Sequence, residues 1–406
     1  MRIVLCSRLS GHGGVAVYNR TLARALSDDG HDVTIVTSDA SLAARLRQTE
    51  QDGIATVYIP TEIPRHWRLP GLRYYARSWN HRRYSRSLDG WLSSLPQAEK
   101  PDVVEFAEVG GEGFFFTRRL DRPAVVVRCH TPTFILRKHH VGGEMKFDTG
   151  IVERMEKACI RGADLLTTPS VDMAEVVSSE TGVPLDRFHP VANAVDVNLP
   201  DPADLRVGQS QVPEGAVVVL HVGRLERIKG IGVLADAIPR VLRACPNAFF
   251  VFIGQPRAAE DGQMWDRKLH DFFEHASVSS RVRLLNYVDT PVMNGWYRRA
   301  DLAVVPSLNY ESFSYTCAQA MAAGLPVVAT AIGGMPETLG RGSCGILYDP
   351  PESKPLTDAL VALIRDGTLR RKMGSRGRER ANACFAAPVV ARRMVELYEK
   401  AIRSRS

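Results

Sequence analysis

Apolar residues along this chain gather in short β-branched runs, separated by longer stretches in which they recur every three to four positions. The runs read as buried strands and the stretches between them as helices with one apolar face. A first series takes in residues 2–6, a helix over 14–28, then 32–38, 55–60, 102–106, 124–130 and 163–170. A second takes in 216–223, a helix over 231–244, then 248–254, 282–288, 300–307, 325–330 and 345–349. Helical periodicity closes the chain over 355–365, 367–382 and 387–403. Strands alternating with helices predict the α/β class, since each parallel pair needs a crossover and both sheet faces must be covered. Because the pattern occurs twice, two doubly wound parallel sheets are expected, facing each other across a central cleft at the carboxyl ends of their strands.

Between the two series lies VANAVDVNLPDPADLRVGQSQVPEG, residues 191–215, rich in Pro, Asp and Gly and without helical period. That composition reads as a linker. The domains are therefore expected at 1–195 and 196–385, with a separate closing helix over 386–406. A length of 406 residues supports the division, because single cores stop growing beyond roughly 250–300 residues.

Composition narrows the class further. An apolar fraction of 45% with 24% charged residues is that of a globular chain, and no uncharged apolar run reaches the length of about 18 residues that a membrane span needs. MRIVLCSRLS runs directly into a strand with no signal-like segment, so a cytoplasmic location is expected. The seven cysteines stand singly and form no metal-ligand pattern, which reads as reduced, mostly buried thiols and no bound metal. A net charge of +7 suits an anionic partner, but the cations are interspersed with acids. The charge alone does not argue for nucleic acid; phosphorylated small molecules or anionic lipid account for it equally well.

Four stretches carry candidate chemistry. HVGRLERIKG (221–230) leaves a buried strand at Gly223, then places Arg224 and Lys229 on the loop entering the next helix. Two cations beside a helix N-terminus could hold a diphosphate; a solvated basic turn is the bland reading. GHGGVA (11–16) matches a dinucleotide fingerprint, with Asp39 as a candidate ribose acid. Ser7–Ser10 separate it from the strand, however, and a phosphate- or sugar-facing loop containing Gly14 suits it better. His130 ends a strand at the expected cleft, next to EFAEVGGEG (105–113), and reads as either a structural or a functional histidine. LRYYARSWNHRRYSRSL (72–88) interleaves arginines with aromatics. Such a helix either lies on an anionic membrane or packs its aromatics on the sheet; a single-stranded nucleic-acid platform is the third reading.

Taken in order, GHGGVAVYNRTLARAL, RCHTPT, ADLLTTPS, NAVD, VGRLERIKG, ESFSYTCAQAMAAGLPVVAT, GGMPE and GILYDP resemble the retaining glycosyltransferases of family 4 over nearly the whole chain. The resemblance implies the GT-B fold of two Rossmann-like domains, the first binding the acceptor and the second the donor. It implies sugar transfer from a nucleoside-diphosphate sugar to a hydroxyl acceptor by front-face displacement, without cofactor or bound metal, an activity of class EC 2.4. Arg224 and Lys229 would then meet the diphosphate. Glu311, the first carboxylate of an E-x7-E motif, would meet the transferred sugar, and backbone amides of Phe313, Ser314, Tyr315 and Thr316 would face sugar and phosphate. Gly223 shapes the donor loop, and Tyr287 lies in the segment that meets the base. From the first domain, Gly14 would approach the donor and His130 the sugar near its O6. The closing helix would cross back onto the first domain.

This sequence departs from the family pattern at two places: Gln319 stands where the second glutamate would bind ribose hydroxyls, and Ser314 where glycine is common. An amide keeps one acceptor and adds two donors, so weakened or retuned nucleotide binding is expected rather than lost transfer. The departures also motivate a second reading, a degenerate sugar-nucleotide-binding protein without turnover. An NAD-linked Rossmann oxidoreductase is a third, and a GT-B epimerase or phosphorylase a closer cousin. Acceptor recognition is expected in loops 60–90 and 105–145, with peripheral contact at the inner face of a membrane through 72–88.

Overall fold

A computed structural model describes residues 1–8, 13–39, 47–51, 53–60, 72–139, 147–198 and 212–405. Gly11 and His12, parts of the 60–90, 105–145 and 191–215 segments, and the side chain of Asp39 lie outside the described residues.

The described residues up to Val195, together with the segment from Ala386, form one compact unit. Its strands are Arg2–Cys6 (β1), Asp32–Asp39 (β2), Arg47–Gln51 (β3), Ile54–Pro60 (β4), Val103–Ala107 (β5), Ala124–Arg128 (β6), Leu165–Thr168 (β7) and Phe188–Pro190 (β8). They lie in the order β3-β4-β2-β1-β5-β6-β7-β8. Only β3 runs antiparallel to its neighbour among the described pairs. Gly14–Asp28 (α1), Ala76–Ser94 (α2), Thr133–His139 (α3), Thr149–Arg161 (α4) and Val171–Thr181 (α5) connect them. β1, β5 and β6 are buried almost throughout, as central parallel strands covered on both faces must be. Two strands escape the sequence reading: β3, whose RQTEQ has no apolar run, and β8, which is three residues long.

Asp196–Phe385 contain the second unit. Its strands are Val217–Val222 (β9), Ala248–Ile253 (β10), Val282–Leu285 (β11), Leu302–Val305 (β12), Val327–Thr330 (β13) and Gly345–Tyr348 (β14). They form one parallel sheet in the order β11-β10-β9-β12-β13-β14. The switch between β9 and β12 is where a doubly wound sheet opens a crevice for ligands. Its helices are Ile231–Ala244 (α6), Trp265–His275 (α7), Thr290–Arg299 (α8), Tyr315–Ala322 (α9), Met335–Thr338 (α10), Ser353–Arg365 (α11) and Gly367–Cys384 (α12). Leu234, Ile238 and Val241 of α6 recur at helical spacing and pack with Val219, Phe250 and Leu360 in one apolar core.

The linker begins later than its composition suggests. Val191, Asn193, Ala194 and Val195 are buried, because Arg128 donates to the Val191 carbonyl at 2.7 Å and to the Asn193 Oδ1 at 2.8 Å. The final helix, Ala387–Arg403 (α13), belongs to the first unit and buries Val390, Ala391, Met394, Tyr398 and Ala401 there. Six of the seven cysteines are buried thiols and Cys384 is half-buried.

Candidate functional site

In the second unit the site is assembled from two loops that leave adjacent strands β9 and β12. After β9 the backbone turns at Gly223, and Leu225 is fully buried, pinned by its N–H to the Gln255 carbonyl and by its own carbonyl to the Arg257 N–H. On either side of buried Leu225, exposed Arg224 and half-buried Glu226 form an ion pair at 2.8 Å. A 3-10 turn over Arg227–Lys229 then delivers the chain to Gly230. Gly230 has φ of +69°, and a Cβ there would stand 1.7 Å from the Pro306 carbonyl oxygen. Only glycine fits, and its fit lets the two loops touch: the Leu308 N–H donates to the Ile228 carbonyl at 2.9 Å.

That contact brings Lys229 to Glu311. Lys229 Nζ lies 2.5 Å from Glu311 Oε1, and the Ser307 hydroxyl donates to the same oxygen at 2.8 Å. Ser307 is itself buried, and its carbonyl accepts from Thr330 Oγ1 at 2.8 Å. The Glu311 backbone is fixed separately, its carbonyl accepting from the Gly334 N–H at 2.8 Å. A carboxylate and an ammonium are thus held at the carboxyl end of the sheet by partners on four segments.

Directly after Glu311, Phe313 is buried edge-on against Tyr315 and Phe385. Ser314 caps α9, its hydroxyl accepting from the Cys317 N–H at 3.3 Å. Thr316 donates to the Val222 carbonyl at 3.3 Å, which ties the start of α9 to the end of β9. This helix N-terminus supplies amide donors and a positive dipole end next to Glu311. Gln319, one turn on, is half-buried and its Oε1 accepts from the Tyr297 hydroxyl at 3.4 Å. Tyr287, in the loop after β11, is 69% exposed.

His221 lies on β9, next to Gly223. Its Nδ1 contacts the Val304 carbonyl at 3.2 Å, and burial holds its imidazole neutral, with a pKa lowered to about 4.

In the first unit His130 follows β6, with its ring edge-on to Tyr18 at 5.1 Å. Burial first, then the Arg128 guanidinium, depress its pKa well below the usual value. Its backbone N–H donates to Glu108 Oε2 at 2.9 Å and that of Thr131 to Oε1 at 2.7 Å. Burial lifts Glu108 to about 8 despite these donors. Gly14 is the exposed first residue of α1.

The second unit therefore joins Lys229, Glu311 and the α9 start, with Arg224 on the same loop. Gly14 and His130 belong to the first unit. Ser307, Glu226, His221 and Tyr297 escape the sequence reading. Ser307 has a signal in retrospect: it stands just past the carboxyl end of a strand, four residues before the carboxylate. The others are revealed by contacts between separate segments.

Comparison with known proteins gives the geometry its family. Residues 216–366 match the family described as Glycosyl transferases group 1, and residues 12–199 match Glycosyltransferase Family 4. A D-inositol 3-phosphate glycosyltransferase of Xylanimonas cellulosilytica is 28% identical, covering 97% of this chain and 93% of the relative. Among solved structures, sucrose-phosphate synthase from Thermosynechococcus elongatus has a similar fold, with a TM-score of 0.80 at 21% identity over 99% of each chain. Anabaena HepE in complex with UDP-glucose superposes with a TM-score of 0.74 at 19% identity, covering 98% of this chain and 100% of that one. With one family match on each unit, together spanning most of its length, the chain carries a Glycosyltransferase Family 4 domain followed by a Glycosyl transferases group 1 domain and is a glycosyltransferase of the GT-B type.

Proposed function

We propose that this chain is a retaining, metal-independent hexosyltransferase that moves a sugar from a nucleoside-diphosphate sugar to an acceptor hydroxyl. One observation carries the reading: Lys229, Ser307 and the N-terminus of α9 converge on Glu311 at the switch point of the second sheet. HepE, of the same fold, is described in complex with UDP-glucose, which supports a nucleotide-sugar donor here.

In this mechanism Arg224, Lys229 and the first amides of α9 take the diphosphate, and their positive charge stabilises the phosphate oxygen as its bond to the anomeric carbon breaks. The electron pair stays on that oxygen. The acceptor oxygen bonds to the anomeric carbon on the same face, and its proton passes to the departing phosphate oxygen, so no protein base is required. Glu311 holds sugar hydroxyls and offsets charge on the oxocarbenium-like centre. Gln319 takes the ribose and backbone near Tyr287 the base. Gly14 and neutral His130 are the groups of the first unit suited to donor phosphate and a sugar hydroxyl. Charge neutralisation by Arg224 and Lys229 makes a divalent ion dispensable.

A panel of UDP-, GDP- and ADP-sugars, with released nucleotide and the product's anomeric configuration both measured, tests this reading. Retained configuration with turnover unaffected by EDTA is expected; inversion or strict metal dependence would overturn the mechanism. Engagement of Gln319 by Tyr297 keeps the binding-only reading in play; tight donor binding with no nucleotide release in the presence of any acceptor would favour it. Product formation without acceptor would point to an epimerase.

A further inference from the structure

Helix α2 has two unlike faces. Ser78, His81, Tyr84, Ser85, Leu88 and Leu92 turn inward and are buried. Tyr75, Trp79, Arg82, Arg83 and Arg86, spaced at i, i+4, i+7, i+8 and i+11, form the outer stripe, exposed or half-buried along its whole length. At 1.5 Å per residue it extends over about 16 Å. Residues 72–88 contain five arginines and no carboxylate.

The stripe is continued by neighbours from other segments. At its start Phe147, 72% exposed, packs edge-on against Tyr74 and Tyr75 at 6.3 and 5.4 Å. Near its end Arg82 and Arg86 lie over the Phe115 ring at 5.9 and 4.9 Å, and Arg118 lies over Phe114 at 3.6 Å. Neither Arg82 nor Arg86 forms an ion pair among the described residues. Both guanidiniums lie over the Phe115 ring and neither pairs with a described carboxylate, which leaves N–H donors for an external anion.

We propose that this surface docks on an anionic phospholipid bilayer, the exposed aromatics entering the headgroup boundary and Arg82 and Arg86 meeting lipid phosphates. Aromatic rings with one apolar and one wet side suit that boundary, and arginines beside it are drawn to the negative leaflet. Single-stranded nucleic acid fits less well. Bases need open ring faces to stack on, whereas Tyr74, Tyr75 and Phe147 meet edge to face and the Phe114 and Phe115 rings carry guanidiniums. No described helix is long and apolar enough to cross a membrane. The inference does not depend on the transfer mechanism.

Co-sedimentation of the full chain with phosphatidylcholine vesicles, with and without phosphatidylglycerol, tests it. Binding is expected only to the anionic vesicles. Arg82→Gln/Arg86→Gln should weaken it by about tenfold or more, and Tyr74→Ser/Phe147→Ser by a similar factor, with thermal melts unchanged because all four side chains are exposed. Lys372→Gln/Arg376→Gln, the same charge change on exposed positions of α12, should leave binding near the wild-type level. Equal loss in that control would show that net charge alone drives adsorption, and the proposal would fail. It would also fail if the wild type ignored anionic vesicles, or bound oligo(dT) through Arg82 and Arg86 in preference to them.

Discussion

Glu311 has more neighbours than its sequence position suggests, and each makes a prediction. Glu311→Gln removes the charge that faces Lys229 and is expected to lower kcat by about 100-fold or more, while nucleotide affinity changes only a few-fold; steady-state kinetics with parallel binding titration separate the two. Ser307→Ala leaves the carboxylate in place without its 2.8 Å donor, so a loss of about tenfold or less in kcat is expected, recovered by Ser307→Thr. An unchanged Ser307→Ala rate would mean that Lys229 alone sets the carboxylate. A third prediction concerns pH. Burial is the main cause lifting Glu108 and Glu112 to about 8 and Glu156 to about 7. In the unfolded chain such groups titrate near about 4.3. Their folded forms hold protons the unfolded chain has released, so stability falls as pH rises through that window. His81 and His221, depressed to about 3 and about 4 by burial, act in the opposite sense, losing stability as pH falls below about 6.5. Above that pH the carboxyls dominate this set. Tm should therefore drop from pH 6.5 to 8, and less steeply in Glu112→Gln, where an amide replaces the protonated carboxyl. Parallel slopes for the two proteins would show that Glu112 is ionised throughout.

At the scale of elements, the short turn between β9 and α6 depends on Gly230. Gly230→Ala forces a methyl group toward the Pro306 carbonyl in a left-handed backbone, and is expected to cost about 3 kcal/mol or more and to separate Lys229 from Glu311. Denaturant unfolding and donor turnover should both register it. Ser314, where the family commonly has glycine, caps α9 through the Cys317 N–H. Ser314→Ala should cost about 1 kcal/mol and Ser314→Gly only a few tenths. The serine is thus compatible with the helix start it occupies. A sequence reading locates these turns, because glycine and the switch from strand to helix period are local signals. It does not see that the loops after β9 and β12 interlock, since Ile228 and Leu308 are eighty positions apart. The 72–88 segment divides along the same line: Tyr84 packs inward as the bland reading expects, whereas Tyr74 and Tyr75 remain outside.

At the scale of the molecule, among the described residues the chain passes to the second unit after Val195 and returns to the first at Ala386. The returning helix completes the first unit's interior: the Tyr398 hydroxyl donates to buried Glu105 at 2.8 Å, and Met394 lies 4.0 Å from Arg128. Deleting residues 386–406 should therefore expose the first unit to proteolysis and hydrogen exchange while the second keeps its protection. Uniform loss across both units would show that they unfold as one. The two-fold repetition of the α/β pattern and most strand positions, β3 and β8 excepted, were determined by the sequence, because hydrophobic period acts over a few residues; Arg224 and Lys229 were marked by their place on the loop after a buried strand, and Glu311 by the family resemblance alone. Tertiary structure alone decided that Lys229 and Ser307 share one oxygen of Glu311, that Tyr297 occupies the Gln319 carbonyl, and that the outer face of α2 gathers Phe115 and Phe147. Those pairings join residues far apart in the chain, and only closure of the sheets and packing of their loops bring such groups within bonding distance.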